Sequence, residues 1–467
     1  MKTRSEAGGS AARLSVAREL ALAVLLEAAA GRPANEALER ALERSRLDER
    51  DRALTTALVD GTLRWQGRLD HVLGHFSKHP LSQLPAPILA ALRLGAFQLL
   101  FLERVPPCAA VDESVRLAHR FGHLGTARLV NAVLRRVAER AGEVPFPDPG
   151  QDPAGYLTAY YSHPPWLVAR WLARYGYQET EALCRADNEP PQPNLRANRL
   201  VTSRDRLAVA LAQEGIVTAP CLLAPDCLAV VEGGGRLRGT AAWRQGAFTI
   251  QGQGSMLAGY LASPMPGWQV ADLCAGTGGK ATHLAELMEG RGTVLAYDRS
   301  ARRIQALQQE ARRLGLTIQA EVADATGLPA SGRLDLALVD APCSGTGTLR
   351  RRPDLRWHRC EGELGRLVAL QGALLSAAAG LLHKGGHLIY TTCSLEPEEN
   401  EGVVASFLES HPGYRAQDCR EALPFLPADV FAISGESLHL LPHRHGTDGM
   451  FMAALRKVAA GPQEGGR

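Results

Sequence analysis

The chain has 467 residues, 45% of them hydrophobic and 5% aromatic, enough for several domains with real cores. Its formal net charge of +3 gives no bulk sign of a nucleic-acid binder, so that role has to be read from local charge. Nine cysteines without a C-x-x-C pair exclude a zinc ribbon or dithiol motif, do not read as a disulfide framework, and fit the reduced thiols of a cytoplasmic protein.

Residues 12 to 142 place apolar side chains at three- and four-residue spacing, as in Val16, Leu20, Val24 and Leu25, and predict helices only. The longer runs are Asp51 to His75, Pro87 to Leu102 and Ala110 to Arg140. They are broken at Gly31-Arg32-Pro33, between Pro80 and Pro87, and at Val105-Pro106-Pro107. The apolar stretch Leu20 to Ala30 follows Glu19 and contains Glu27, which suits an amphipathic helix better than a cleaved leader. No run of eighteen apolar residues occurs, so no membrane span is expected.

An all-helical domain is therefore expected over 1–144. A Pro-rich linker (PFPDPGQDP) follows over 145–154, then a mixed α/β linking domain over 155–262. In that domain Pro165 to Ala186 reads as helix, and Asn194 to Leu200, Cys227 to Val231 and Ala247 to Gln251 as strands. From Trp268 strand, turn and helix alternate. The strand candidates are Gln269 to Leu273, Thr293 to Tyr297, Ile318 to Val322, Leu334 to Val339 and His387 to Thr392. That alternation predicts a parallel sheet with helices on both faces, a Rossmann-like α/β domain over 263–460. Ser437 to Leu441 and Met450 to Leu455 are expected as an antiparallel edge pair, and 461–467 as a frayed tail.

The first strand of that domain runs into Cys274, Ala275, Gly276, Thr277, Gly278, Gly279 and Lys280, then a helix. Small residues let a ligand approach the backbone, and ligands of open parallel sheets sit at the strands' carboxyl ends. Three further strand ends carry acids: Asp298, Asp324 and Asp340. Asp298 falls where an acid binds ribose hydroxyls, and Asp324 could accept from an adenine amino group. A phosphate-binding loop fails, because Cys274 replaces its first Gly and Ala281 its Ser/Thr. A loose dinucleotide fingerprint, Gly276-x-Gly278-x-x-Ala281, keeps a nicotinamide enzyme alive.

Two more loops leave strand ends, Asp340 to Gly347 (DAPCSGTG) and Thr391 to Ser394 (TTCS), and each delivers a cysteine, Cys343 and Cys393. A thiolate adding to C6 of cytosine makes C5 nucleophilic toward the methyl of a sulfonium donor. Asp340 could bond the ring edge as charge builds. Spacing alone does not rank the two cysteines. The following run, with Arg350, Arg351, Arg352, Arg356 and Trp357, suits RNA phosphate contact and base stacking. Glu396, Glu398, Glu399 and Glu401 read as an ordinary helix start around Pro397 and stay outside the site.

At these residues the chain resembles the RsmB/Sun (Fmu) family of 16S rRNA cytosine-C5 methyltransferases. The segments are DLCAGTGGKATHL, LAYDRS, VADAT, LVDAPCSGTGTLRRRPDLRW, YTTCSLEPEENE and the closing LLPHRHGTDGMFMAALRK, with YSHPPWLVARWL and NLRANRL before them. The helical domain resembles NusB, through RDRALTTALVDGTLRWQGRLD, LRLGAFQLLFLERVP and GTARLVNAVLRRV. The resemblance implies S-adenosylmethionine bound by Cys274 to Lys280 with Asp298, Asp324 and Asp340. It implies 16S rRNA as partner, Cys393 as nucleophile and Cys343 as the residue that helps release product. No metal is implied, and a monomer is expected; tRNA stays open as the alternative substrate. Two positions depart from the family: Gly276-Thr277 stands for its usual Ala-Pro, and Gly252 stands where an acid often follows Gln251.

Overall fold

The computed structural model describes residues 15–458, so the expected tail over 461–467 and the first fourteen residues lie outside the described part. Contacts group the chain into two compact units. One runs to Cys184 and also takes in Arg352–His358; the other holds Arg185–Arg351 and Arg359 onward.

The first unit is helical, as its periodicity predicts, with helices Val16–Ala29, Ala34–Arg44, Glu49–Arg64, Gln66–Phe76, Ala86–Phe101, Pro107–Phe121, Leu124–Arg140 and Pro153–Tyr160. Two expected runs split. Asp51 to His75 breaks at Trp65, and Ala110 to Arg140 breaks at Gly122-His123, where the His123 ring accepts from Gly125 N–H and caps the next helix. Leu22, Leu58, Leu69, Leu92 and Leu134 are wholly buried in the core. Glu49–Arg64 and Ala86–Phe101 approach so closely that a Cβ on Gly61 would lie 1.9 Å from the Phe97 ring. The next helix, Pro165–Asp187, is kinked at Gly176, whose φ of 74° only glycine takes freely.

The second unit opens with a small antiparallel sheet: β1 (Asn194–Ala197), β2 (Val217–Pro220), β3 (Cys227–Glu232) and β4 (Phe248–Ile250), in the order β2-β3-β1-β4. β2 is absent from the sequence reading because its residues are partly or fully exposed and show no apolar alternation. Its pairing sets Pro220 opposite Leu228, which brings Cys221 and Cys227 to a Cα–Cα distance of 5.3 Å, and the two are joined as a disulfide. That corrects the expectation of reduced thiols throughout: the hairpin register, invisible in the spacing, makes the pair.

The main sheet contains β5 (Gln269–Asp272), β6 (Thr293–Asp298), β7 (Gln319–Val322), β8 (Leu334–Asp340), β9 (Leu382–Thr392), β10 (Tyr414–Ala416), β11 (Ser437–Leu440) and β12 (Met450–Lys457). Its order is β10-β12-β9-β8-β5-β6-β7, with β11 also on β12. The five strands β5 to β9 are parallel to their neighbours among themselves. Leu336, Ala337, Leu338 and Val339 are all fully buried, as in a strand covered on both faces. β11 and β12 pair antiparallel as expected, but β12 is interior, lying between β9 and the short strands β10 and β11. Helix Leu364–Leu381, with the turn before it, is long and apolar enough to cross a membrane. It nevertheless sets Leu374, Leu375 and Ala378 into the core beside β8 and β9.

Strand order reverses at β5, which has β6 on one side and β8 on the other. Ligands of such sheets bind outside the carboxyl ends at that point. The loops after β5, β6, β8 and β9 are therefore the ones to build from.

Candidate active site

β5 ends on Asp272, and the chain turns through Cys274 into helix Gly279–Leu287. Gly276 and Gly278 take φ of 56° and 93° in the turn, so the glycine that departs from the usual family residue at 276 sits where a side chain would be strained. The space where a Cβ on Gly276 would point is open. β6 ends on Asp298, whose carboxylate accepts the N–H of Gly276 at 3.0 Å and of Ser300 at 2.8 Å. Asp324 follows β7. The Thr326 hydroxyl and N–H, with Arg299 beyond them, hold its carboxyl below the usual range.

Asp340 closes β8 and pairs with Lys280 Nζ at 2.6 Å. Burial alone would lower the Lys280 pKa, but Asp340 and Asp272 outweigh it and keep the ammonium charged. Asp272 is 1% exposed; one carboxylate oxygen accepts the Cys274 N–H at 3.2 Å and the other has no partner. Burial, then Asp340, pushes the Asp272 carboxyl up to about 7 against the pull of Lys280. Burial and the same acids push the Cys274 thiol far up, so it stays protonated. An orphaned buried carboxylate oxygen, an open glycine turn and acids at successive strand ends make a set of acceptors for a ligand bearing an ammonium group and hydroxyls.

The two cysteine loops meet. Cys343 Sγ lies 3.3 Å from Cys393 Sγ. The neighbouring Cys393 and burial push the Cys343 thiol well up, so Cys343 stays protonated at rest. The loops are tied beneath the sulfurs by Glu399, which is fully buried. Its carboxylate accepts the Ser344 N–H at 2.9 Å, the Ser344 and Ser394 hydroxyls, and Gln371 Nε2 at 2.9 Å. Gly347 N–H donates to Cys393 O at 2.9 Å, and Arg359 Nε to Ser344 O at 3.1 Å. Setting Glu399 aside as part of a helix start is thus corrected. The turn Pro397–Glu399 does precede helix Glu401–Ser410, but this acid points into the protein and buckles both loops. Its run of exposed-looking neighbours hid it.

Arg196 was also missed. It is wholly buried, forks onto Glu286 at 2.7 and 3.1 Å, and donates to Gly279 O at 2.7 Å and Thr282 Oγ1 at 3.0 Å. Gln251 accepts from it as well. It braces the helix that follows the glycine turn against β1. A side chain at the second departure, Gly252, would come within 3.6 Å of Arg351, which Asp448 already holds.

The arginine run does not act as one patch. Arg352 pairs with Asp354 at 3.3 Å. Arg356 is 1% exposed and donates to the carbonyls of Arg64 and Ser162 at 3.0 Å each, Arg64 being the last residue of its helix. Trp357 Nε1 donates to Leu63 O at 2.7 Å. This corrects the expectation that Arg356 and Trp357 present themselves to RNA: helix-end carbonyls without intrahelical donors claimed them first. Trp357 also walls a cavity of about 250 Å³ with Leu25, Thr62 and Ala90, inside the helical unit.

The chain matches the NusB family over residues 15–139, the Methyltr_RsmF/B-like, ferredoxin-like domain over 163–234, and the 16S rRNA methyltransferase RsmB/F family over 260–456. It is 36% identical over 447 residues to the probable ribosomal RNA small subunit methyltransferase B of Bacillus subtilis, which covers 94% of this chain and 98% of that relative. The ribosomal RNA small subunit methyltransferase B of Pseudomonas putida is 35% identical over 451 residues, 96% and 99% of the two chains. Among solved structures, PH0851 is similar with a TM-score of 0.79 and 27% identity, covering 95% of this chain and 98% of that one.

Proposed function

The chain belongs to the ribosomal RNA small subunit methyltransferase B family, and from that premise we propose that it methylates C5 of a cytosine in 16S rRNA through a transient Cys393–C6 bond. Methyl transfer to small-subunit rRNA from S-adenosylmethionine is the activity of the family. The acceptors at the glycine turn fit that molecule. Asp272 suits an ammonium, Asp298 a ribose diol and Asp324 an adenine amino group, with Cys274 to Lys280 supplying the backbone around them. When bound, it supplies a methyl group on a sulfonium.

The observation that carries the proposal is the thiol pair, two sulfurs 3.3 Å apart from two strand-end loops beside the Lys280–Asp340 ion pair. Cys393 attacks C6 as its thiolate, its proton passing to the ring at N3; the sulfur electrons form the new bond while the C5=C6 pair shifts into the ring and makes C5 nucleophilic. C5 then takes the methyl, whose old bond breaks with its electrons left on the donor sulfur. Asp340 bonds the ring edge while charge builds there. Cys343 then removes the C5 proton, and the C6–S electrons return to Cys393. Cys343 is protonated at rest chiefly because Cys393 lies against it. Cys343 must give up its own thiol proton before it takes the one on C5; the Cys393 contribution that opposes this is gone once that sulfur is a thioether, while burial and Glu399 still favour the thiol. The target base must be unstacked to reach the thiols, so a flexible cytosine is required. The helical unit binds RNA and takes no part in the chemistry, and the enzyme works in the cytoplasm beside its substrate.

The test is to incubate the purified chain with methyl-labelled S-adenosylmethionine and unmodified 16S rRNA, then digest to nucleosides. Label in 5-methylcytidine is the expected result. Label confined to another nucleoside, or transfer only to tRNA, refutes the proposal.

A further inference from the structure

Arg68 sits in the first turn of helix Gln66–Phe76, half-buried, in the helical unit. Its guanidinium carbon lies 4.3 Å from the centroid of the Tyr160 ring, 5.4 Å from Phe146, 5.6 Å from Trp65 and 5.7 Å from Phe101. The rings hold one another. Trp65 stacks on Phe101 at 4.7 Å, His71 on Phe146 at 4.7 Å, and Phe146 meets Tyr160 edge-on at 5.2 Å. Aromatic faces attract a cation and fix its plane.

What this arginine lacks is an acceptor. Among the described residues it makes no hydrogen bond and no ion pair. Asp70, two residues on, is held by both arms of Arg93 at 2.7 Å, and Glu181 accepts the Tyr161 hydroxyl at 3.0 Å. The contrast is Arg313, which also lies on an aromatic ring, Trp243, at 3.5 Å. Its N–H edge is filled by Trp243 O at 2.8 Å, Phe248 O at 2.9 Å and Glu310. Arg313 is a finished structural contact. Arg68 lies among four rings with no acceptor on its N–H groups, of which a guanidinium carries five.

A guanidinium packed among rings with its donors unspent is preorganised for a tetrahedral oxyanion, since it has less rotamer freedom to lose. We propose that Arg68 is a phosphodiester-binding residue through which the helical unit grips the substrate RNA. This rests on the reading of the chain as an rRNA methyltransferase.

The test uses the full chain and transcribed 16S rRNA, with affinity measured across a series of KCl concentrations, for wild type, Arg68→Gln and Arg68→Lys. Loss of one phosphate contact should weaken binding by Arg68→Gln about tenfold at moderate salt and reduce the slope of log K against log salt by about 1. Arg68→Lys keeps the charge and should keep the slope while losing the fork, falling between the two. S-adenosylmethionine affinity should be the same in all three. If both variants bind RNA with the wild-type affinity and slope, the contact is overturned and Arg68 only packs. A wild-type chain with no salt-dependent affinity for rRNA would overturn the underlying functional reading as well.

Discussion

The loop after β8 contains two stretches of equal promise in the sequence, and they fare differently. Asp340 to Gly347 meets the TTCS loop and brings two sulfurs into contact, while Arg352 to Trp357 turns away into packing within the helical unit. The difference is one of reach. Cys343 has a single-atom arm on a turn fixed by a buried strand, so topology settles where its sulfur lies. An arginine has a long arm and seeks carbonyls, and the free acceptors at the end of helix Glu49–Arg64 decide its direction. Short side chains at strand ends are therefore better evidence of a site than a run of charge.

The comparison can be broken first at Glu399. If the two cysteine loops are held by this one carboxylate, Glu399→Ala leaves several buried donors without acceptors. It should cost about 5 kcal/mol in chemical denaturation and abolish methyl transfer. Glu399→Gln should recover part of the stability and less of the activity. A variant of wild-type stability would mean that the loops hold themselves.

Asp272 sharpens the same side. Its carboxyl lies near 7 in the folded chain and near its ordinary value when unfolded, so the native state holds the extra proton between those values. Stability from this group is then present at low pH and falls as pH rises from about 4 to about 7, by about 4 kcal/mol. Asp272→Asn should remove that share of the decline when denaturation is compared at pH 5 and pH 8. An identical pH dependence in the two proteins contradicts the burial argument.

On the other side, Arg356→Ala should cost about 3 kcal/mol of stability by stripping donors from two buried carbonyls, without changing the salt dependence of RNA binding. A shallower salt slope would return Arg356 to the RNA interface. The smallest effect is at the cofactor. Asp298→Ala should weaken S-adenosylmethionine binding by about 2 kcal/mol in calorimetry, and unchanged affinity would remove Asp298 from the site.

Much of this was legible in the sequence. The helices of the first unit and β5, β6, β8 and β9 follow from apolar spacing, because each buries a face or both faces; β7 is mostly exposed and follows only from the alternation around it. The strand-end acids and both cysteines follow from where those strands stop. What escaped depends on partners far away in sequence. Arg196 meets Glu286, Cys221 meets Cys227 across a hairpin, and Glu399 meets two serines from different loops. β10 is three residues long and carries no period at all. No local pattern encodes those meetings, and the closing hairpin looked like an edge because β10 could not be seen.

The central claim is that the paired thiols divide the work, Cys393 attacking and Cys343 releasing. It is tested most directly by mixing each cysteine variant with 16S rRNA and S-adenosylmethionine and resolving the products on a denaturing gel with and without RNase. Cys343→Ala should methylate and then stall, leaving a slow band of protein bonded to RNA that RNase removes. Cys393→Ala should give neither methylation nor band. A band from Cys393→Ala, with Cys343→Ala inert, would reverse the roles and contradict the account.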